Sequence, residues 1–196
     1  MKQIFLLAVL ALALHSTVSA SSNVDFSSYS GGNLTGSKSG LALSASVLVA
    51  VDGLNGGGLI TGSDLGSVSF ETGPLVSGSL QMGGTFAAGG SFTITGNGKG
   101  GVPNGTLFTG TFSDPVTWTV VTLANGTHDY TLTGTLSGTG GVIIRLTVNT
   151  GRGFFNGCST ISSGDTNVVI AEPSTLGLLG TGLISLAGVL RRKAQG

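Results

Sequence analysis

Two side chains in this sequence are reactive enough for covalent chemistry near neutral pH, and both types are scarce. Beyond His15, close to the N-terminus, the only histidine is His128, in Gly126-Thr127-His128-Asp129, and the only cysteine is Cys158. A nucleophile needs a base within hydrogen-bond reach and a third group that orients the base. No local pattern joins His128 to Cys158, and no Gly-x-Ser-x-Gly elbow occurs. His128 therefore reads as a turn or surface residue, and Cys158 as a small buried hydrophobe. A single cysteine also rules out an intrachain disulfide.

Carboxylates are the next candidates. Residues 21–171 carry seven, Asp25, Asp52, Asp64, Glu71, Asp114, Asp129 and Asp165, against four cations, Lys38, Lys99, Arg145 and Arg152, for a net charge of −3. Two carboxylates about 5–9.5 Å apart hydrolyse a glycoside, and the seven acids make many such pairs, with Glu71 or Asp114 as candidate members. Against that chemistry, the chain has one Trp and two Tyr, and most of its aromatics fall at core-facing positions. No catalytic residue is assigned, and the residues favour a protein that is not an enzyme. Asp52, Asp64 and Asp165 sit in segments that read as loops and are the acids that would hold calcium, though none has the Asp-x-Asp-x-Asp-Gly spacing. No other cofactor or metal is expected. The cations are scattered, which excludes nucleic acid as a partner. Gly96-Asn97-Gly98-Lys99-Gly100-Gly101 lacks the Gly-Lys-Ser/Thr of a phosphate loop and has no helix after it, so it reads as a hairpin turn.

The elements that would position these residues are strands. In Val116-Thr117-Trp118-Thr119-Val120 the large apolar side chains alternate with threonine, and residues 130–136 and 142–148 repeat the pattern. Shorter runs at 41–51, 68–72, 92–95 and 107–112 extend it, and Asn97-Gly98, Asn104-Gly105 and Asn125-Gly126 supply turns. The clearest unit is a hairpin, 116–122 returning as 130–137, with Trp118 and Leu132 or Leu136 buried. Its other side places Thr117, Thr119, Thr131, Thr133 and Thr135, with Thr147 on the next strand, as a hydroxyl face that suits carbohydrate, ice or another sheet. The expected fold is all-β, an antiparallel β-sandwich, with a β-roll or irregular β-solenoid as the alternative. Residues 21–38, rich in Ser, Gly and Asn, read as a loose lead-in to a domain spanning 21–160. Residues 161–170 read as a spacer.

Both ends carry address signals. Lys2, an apolar run over 4–14 and Val18-Ser19-Ala20 make a secretory signal peptide over 1–20, cut by signal peptidase after Ala20. At the other end, Ala171-Glu172-Pro173-Ser174 precedes 15 residues without charge, 176–190, and then Arg191-Arg192-Lys193. As a helix that run is about 22 Å long, short of the ~30 Å hydrocarbon core, and it inserts by drawing in flanking residues or thinning the bilayer. The basic cluster then sits on the cytoplasmic side.

This three-part tail, over 171–193, resembles the PEP-CTERM sorting domain, which exosortase enzymes process in the envelope of many Gram-negative bacteria. Ala171 stands where that family has its first proline. The resemblance implies an exported, non-enzymatic cell-envelope or extracellular-matrix protein of the kind associated with exopolysaccharide and biofilm. It would be held in the inner membrane by a single C-terminal transmembrane helix and then processed. Its implied sorting motif is Ala171, Glu172, Pro173 and Ser174, and its implied anchor Arg191, Arg192 and Lys193. Its partners would be an exosortase-type enzyme and extracellular polysaccharide. The alternatives are an extracellular carbohydrate-binding module and, less favoured by the residues, a cryptic hydrolase.

Overall fold

Large apolar residues at every second position bury one face of a strand, and the chain uses this device almost throughout. The computed structural model describes residues 21–29, 31–137, 141–148 and 153–171. They form twelve strands: β1 (Ser21–Tyr29), β2 (Asn33–Ser37), β3 (Gly40–Asp52), β4 (Ile60–Thr72), β5 (Leu75–Ser79), β6 (Gly83–Phe86), β7 (Gly90–Asn97), β8 (Asn104–Gly110), β9 (Val116–Thr122), β10 (His128–Thr135), β11 (Gly141–Val148) and β12 (Cys158–Ala171). The one helical piece among them is a 3-10 turn at Leu54–Gly56, and no helix among the described residues is long and apolar enough to cross a membrane. The signal peptide, the cleavage-site residue Ala20, Glu172, Pro173, Ser174, the 176–190 run and Arg191, Arg192 and Lys193 lie outside the described residues.

The strands make a single sheet in the order β5-β6-β9-β10-β11-β12-β1-β3-β4-β7-β8, with β2 pairing β12 and β3. β1 and β2 lie along the same side of β3, from Asp25↔Asp52 to Ser37↔Gly40 with a register irregularity between Ser27 and Ser28, so they are two lengths of one line broken between Tyr29 and Asn33. β12 runs along the other side of that line, pairing both β1 and β2. The sheet closes after β8, where Phe112 bridges Leu136 just past the end of β10. There Ser113 N–H donates to Thr135 O at 3.0 Å and Ser137 N–H to Thr111 O at 2.8 Å. The antiparallel all-β expectation holds, but the two separate sheets of a sandwich are replaced by one sheet with a small closed barrel core and extra strands.

The hairpin of β9 and β10 forms as its sequence dictates. Leu132 stands opposite Trp118 and Thr131 opposite Thr119, with Trp118, Tyr130 and Leu132 buried. Its turn is held by Leu123 N–H to Thr127 O at 2.8 Å and by Asn125 Oδ1, which accepts from Thr127 N–H at 3.0 Å. Gly126 takes φ +81 there, the left-handed conformation that glycine adopts without cost.

Two segments expected to be irregular are strand instead. The lead-in forms β1 and β2, and the 161–170 spacer lies within β12, paired to β11 from Val142↔Val168 to Val148↔Ile161. Large apolar residues fill most of their inward positions (Val24, Phe26, Leu34, Ile161 and Val168), and small or polar ones, Ser28, Gly164 and Thr166, fill others. A Cβ on Gly164 would lie 2.6 Å from Ser28 Oγ and 3.2 Å from a Leu146 methyl carbon. The contact unit accordingly runs from Ser22 to Ile170.

Candidate functional site

An aromatic stack sets the inner surface of β9 and β10. Trp118 and Tyr130 lie parallel at 4.8 Å and 14°, and Phe155 meets both edge-on at 6.3 and 6.2 Å. Trp118 Nε1–H donates to Leu80 O at 2.9 Å, and Tyr130 Oη donates to Gln81 O at 3.2 Å while accepting from Phe155 N–H at 2.9 Å. Burial pushes the Tyr130 phenol above its ordinary pKa, against a smaller lowering by the Phe155 N–H. These bonds pin the β5–β6 turn and the segment leading into β12 to the barrel wall.

The segment so pinned ends at Gly157, whose carbonyl accepts from Gly36 N–H at 2.8 Å. That contact floors a cleft of about 300 Å³ between the β2–β3 turn and the end of β4. Three glycines permit it. Gly36 is half-buried under Leu41 and Phe155; a Cβ on Gly40 (φ +148) would lie 2.7 Å from Thr72 O, and one on Gly157 (φ +118) 2.8 Å from Gly36 O. The polar rim is Thr35, Ser37, Ser39, Glu71 and Thr72. Thr72 Oγ1 is committed to the fold, accepting from Leu41 N–H at 3.0 Å and donating to Gly73 O at 2.9 Å. Ser37 and Ser39 share a hydrogen bond at 2.6 Å. Glu71 is the only charged residue of the lining, and its carboxylate makes no hydrogen bond or ion pair among the described residues.

The other residues with chemical potential are dispersed. His128, expected at the surface, opens β10 and is buried, stacked on Phe154 at 4.0 Å with Nδ1 3.1 Å from Thr122 Oγ1. Cys158, expected to be buried, is exposed at the start of β12, with Sγ 3.9 Å from Asn33 Oδ1. The two belong to different elements and contact different partners. Asp114 sits in the loop before β9, hydrogen-bonded to Ser113 at 3.2 Å, and does not line the cleft with Glu71.

The three acids expected in loops are on strands: Asp52 ends β3, Asp64 is in β4 and Asp165 in β12. Asp64 pairs with Lys99 at 2.6 Å, which fastens the β7–β8 turn to β4. Among the described residues no three His, Cys, Asp or Glu side chains group to hold a metal ion.

Asp52 faces Asp25 across β1 and β3, and Asp165 adds to the negative field there. Asp25 has its pKa raised, first by desolvation, then by Asp165 and Asp52, against a hydrogen bond from Asn167. A raised carboxyl means the folded state holds its proton more tightly, so this contribution to stability is present below the ordinary carboxylate range and lost as pH rises through the folded pKa. Asp25→Asn is expected to raise Tm by about 1–2 °C at about pH 7, the scale of an exposed charge effect. The gain should vanish near pH 3, where both forms are neutral. Thermal melts at the two pH values check this; an equal shift at both would show that charge is not the cause.

The threonine face is where the alternation puts it. Thr85, Thr117 and Thr133 stand in a cross-strand row over β6, β9 and β10, and Thr119 and Thr131 form the next row. On β11 these two rows continue as Ile143 and Arg145, and Thr147 stands on the same face opposite Asp129, so hydroxyls are continuous over three strands only. A second hydroxyl surface, not evident in the sequence, lies over β4, β7 and β8, where Ser67 bonds Thr95 at 2.9 Å and Thr93 bonds Thr109 at 3.4 Å.

No family model, no curated protein and no solved structure matches the chain.

Proposed function

We propose that this chain is an exported, non-enzymatic protein of the cell envelope or extracellular matrix, tethered in the inner membrane by its C-terminal segment and then sorted by an exosortase-type enzyme. The observation that carries this reading is the two address signals together, the signal-peptide pattern over 1–20 and the three-part tail over 171–193. The stretch between them holds the twelve described strands, from β1 at Ser21 to β12 at Ala171. A signal helix over 1–20 and a transmembrane segment over 176–190 complete the arrangement, with Arg191, Arg192 and Lys193 on the cytoplasmic side. The scarcity of charge over 21–171 suits a partner such as extracellular polysaccharide better than a charged polymer.

Fractionation of expressing cells tests the tether. The full chain, before processing, is expected in the membrane fraction, and a chain truncated after Ala171 in the soluble exported fraction. Recovery of both in the cytoplasm with the signal peptide intact would overturn the reading.

A further inference from the structure

The cleft between the β2–β3 turn and β4 has the makings of a site that the tail does not explain. Its floor is backbone packed on backbone, held by the Gly36–Gly157 hydrogen bond and by glycines at 40 and 157 in conformations that other residues rarely adopt. Such a concavity exists before any ligand arrives, which lowers the cost of binding. Its exposed polar groups fall into two kinds. Thr35 and the mutually bonded pair Ser37 and Ser39 carry hydroxyls able both to donate and to accept. Glu71 is an exposed carboxylate with no partner among the described residues. Lys38, at the tip of the same turn, forms no ion pair with it.

The place of the cleft in the fold is equally specific. The β1–β2 line runs from Ser21 to Ser37, and β12 returns beside it to Cys158. The contacts Ser28–Gly164 and Asp25–Asn167 step in opposite directions along the two strands, so Ser21 and Ala171 share one end. Ser37 and Gly157, on the cleft, share the other, up to roughly 50 Å away at about 3.3 Å per residue. The cleft is therefore presented at the end of the folded unit remote from the points where both address segments join it.

We propose that this cleft binds a protonated amino sugar, the ring hydroxyls meeting Thr35, Ser37 and Ser39 and the ammonium meeting Glu71. A neutral sugar leaves the carboxylate unanswered, and a simple amine leaves the hydroxyls unanswered. The one ligand class that uses both sets carries both groups. With a single carboxylate and no second acid in the lining, the cleft binds rather than hydrolyses. This inference goes beyond the proposed sorting and does not rest on it, nor on the threonine face: the cleft binds whether or not the tail is ever cut.

The test is a titration of the full chain, in a zwitterionic detergent without sugar headgroups, followed by amide chemical shifts in NMR. The titration is run at about pH 6, where the sugar's amine is protonated. Glucosamine is expected to bind with a Kd in the millimolar range and to move amides over 35–42 and 71–72, with glucose and methylamine each about 5–10-fold weaker. Glu71→Gln, an exposed change that leaves the fold intact, is expected to reduce glucosamine to the level of glucose. Equal binding of glucosamine and methylamine would overturn the sugar assignment. Insensitivity to Glu71→Gln, or shifts confined to other surfaces, would overturn the site.

Discussion

Replacing Trp118 by alanine is expected to lower the stability of the folded unit by about 3–5 kcal/mol. Total stability of a domain this size is about 5–15 kcal/mol, so the change approaches the point of unfolding. Three losses combine. The indole is fully buried, so its removal leaves a cavity. Tyr130 loses the ring stacked on it at 4.8 Å and Phe155 an edge contact at 6.3 Å. Leu80 O loses its donor at 2.9 Å, and with it goes the tie between the β5–β6 turn and the barrel. Tyr130→Phe isolates the polar part of the stack. It strands the Phe155 N–H and the Gln81 carbonyl, for about 1–3 kcal/mol. Urea unfolding read by circular dichroism measures both, since Trp118 is the only tryptophan and fluorescence is lost with it. A loss below about 1 kcal/mol for Trp118→Ala would mean that the stack does not hold the turn and the 153–157 segment in place.

That stack was half legible. The alternation around Trp118 and Tyr130 put both on a buried face, because residues opposite one another in a hairpin are close in sequence. Phe155, Leu80 and Gln81 reach them from segments separated by 25 to 49 residues, and no local pattern carries such contacts. The same limit hid the cleft, which draws on three stretches around residues 35–42, 71–72 and 157. It also misplaced His128 and Cys158, whose burial depends on Phe154 stacking over one and on open space beside the other. Strands with small inward residues were hidden for a different reason. Gly164 and Thr166 in β12, and Ser28 in β1, interrupt the few large apolar residues that mark the period there (Val24, Phe26, Ile161 and Val168), though the backbone pairs as fully as elsewhere. Threonine rows, by contrast, were legible from period two alone.

The second large effect lies outside the folded unit. Glu172→Ala with Pro173→Ala is expected to leave the tail uncut, raising the fraction of membrane-held precursor by about tenfold or more, the scale of losing about 1.4 kcal/mol or more of recognition. Tm of the strand unit, Ser22–Ile170, is the control: an unchanged Tm beside more precursor assigns the effect to recognition and not to folding. Processing and folding are thereby separable in one variant. A precursor fraction equal to that of the unaltered chain would remove the motif from any role in sorting.

The central claim is that the chain is exported and trimmed at both ends, leaving the twelve-stranded unit. Intact-mass measurement of the protein recovered from cells with an active exosortase tests it most directly. The account predicts a polypeptide that begins at Ser21 and lacks the apolar run over 176–190 and the basic cluster after it. A chain found in the membrane intact through Gly196 would contradict it.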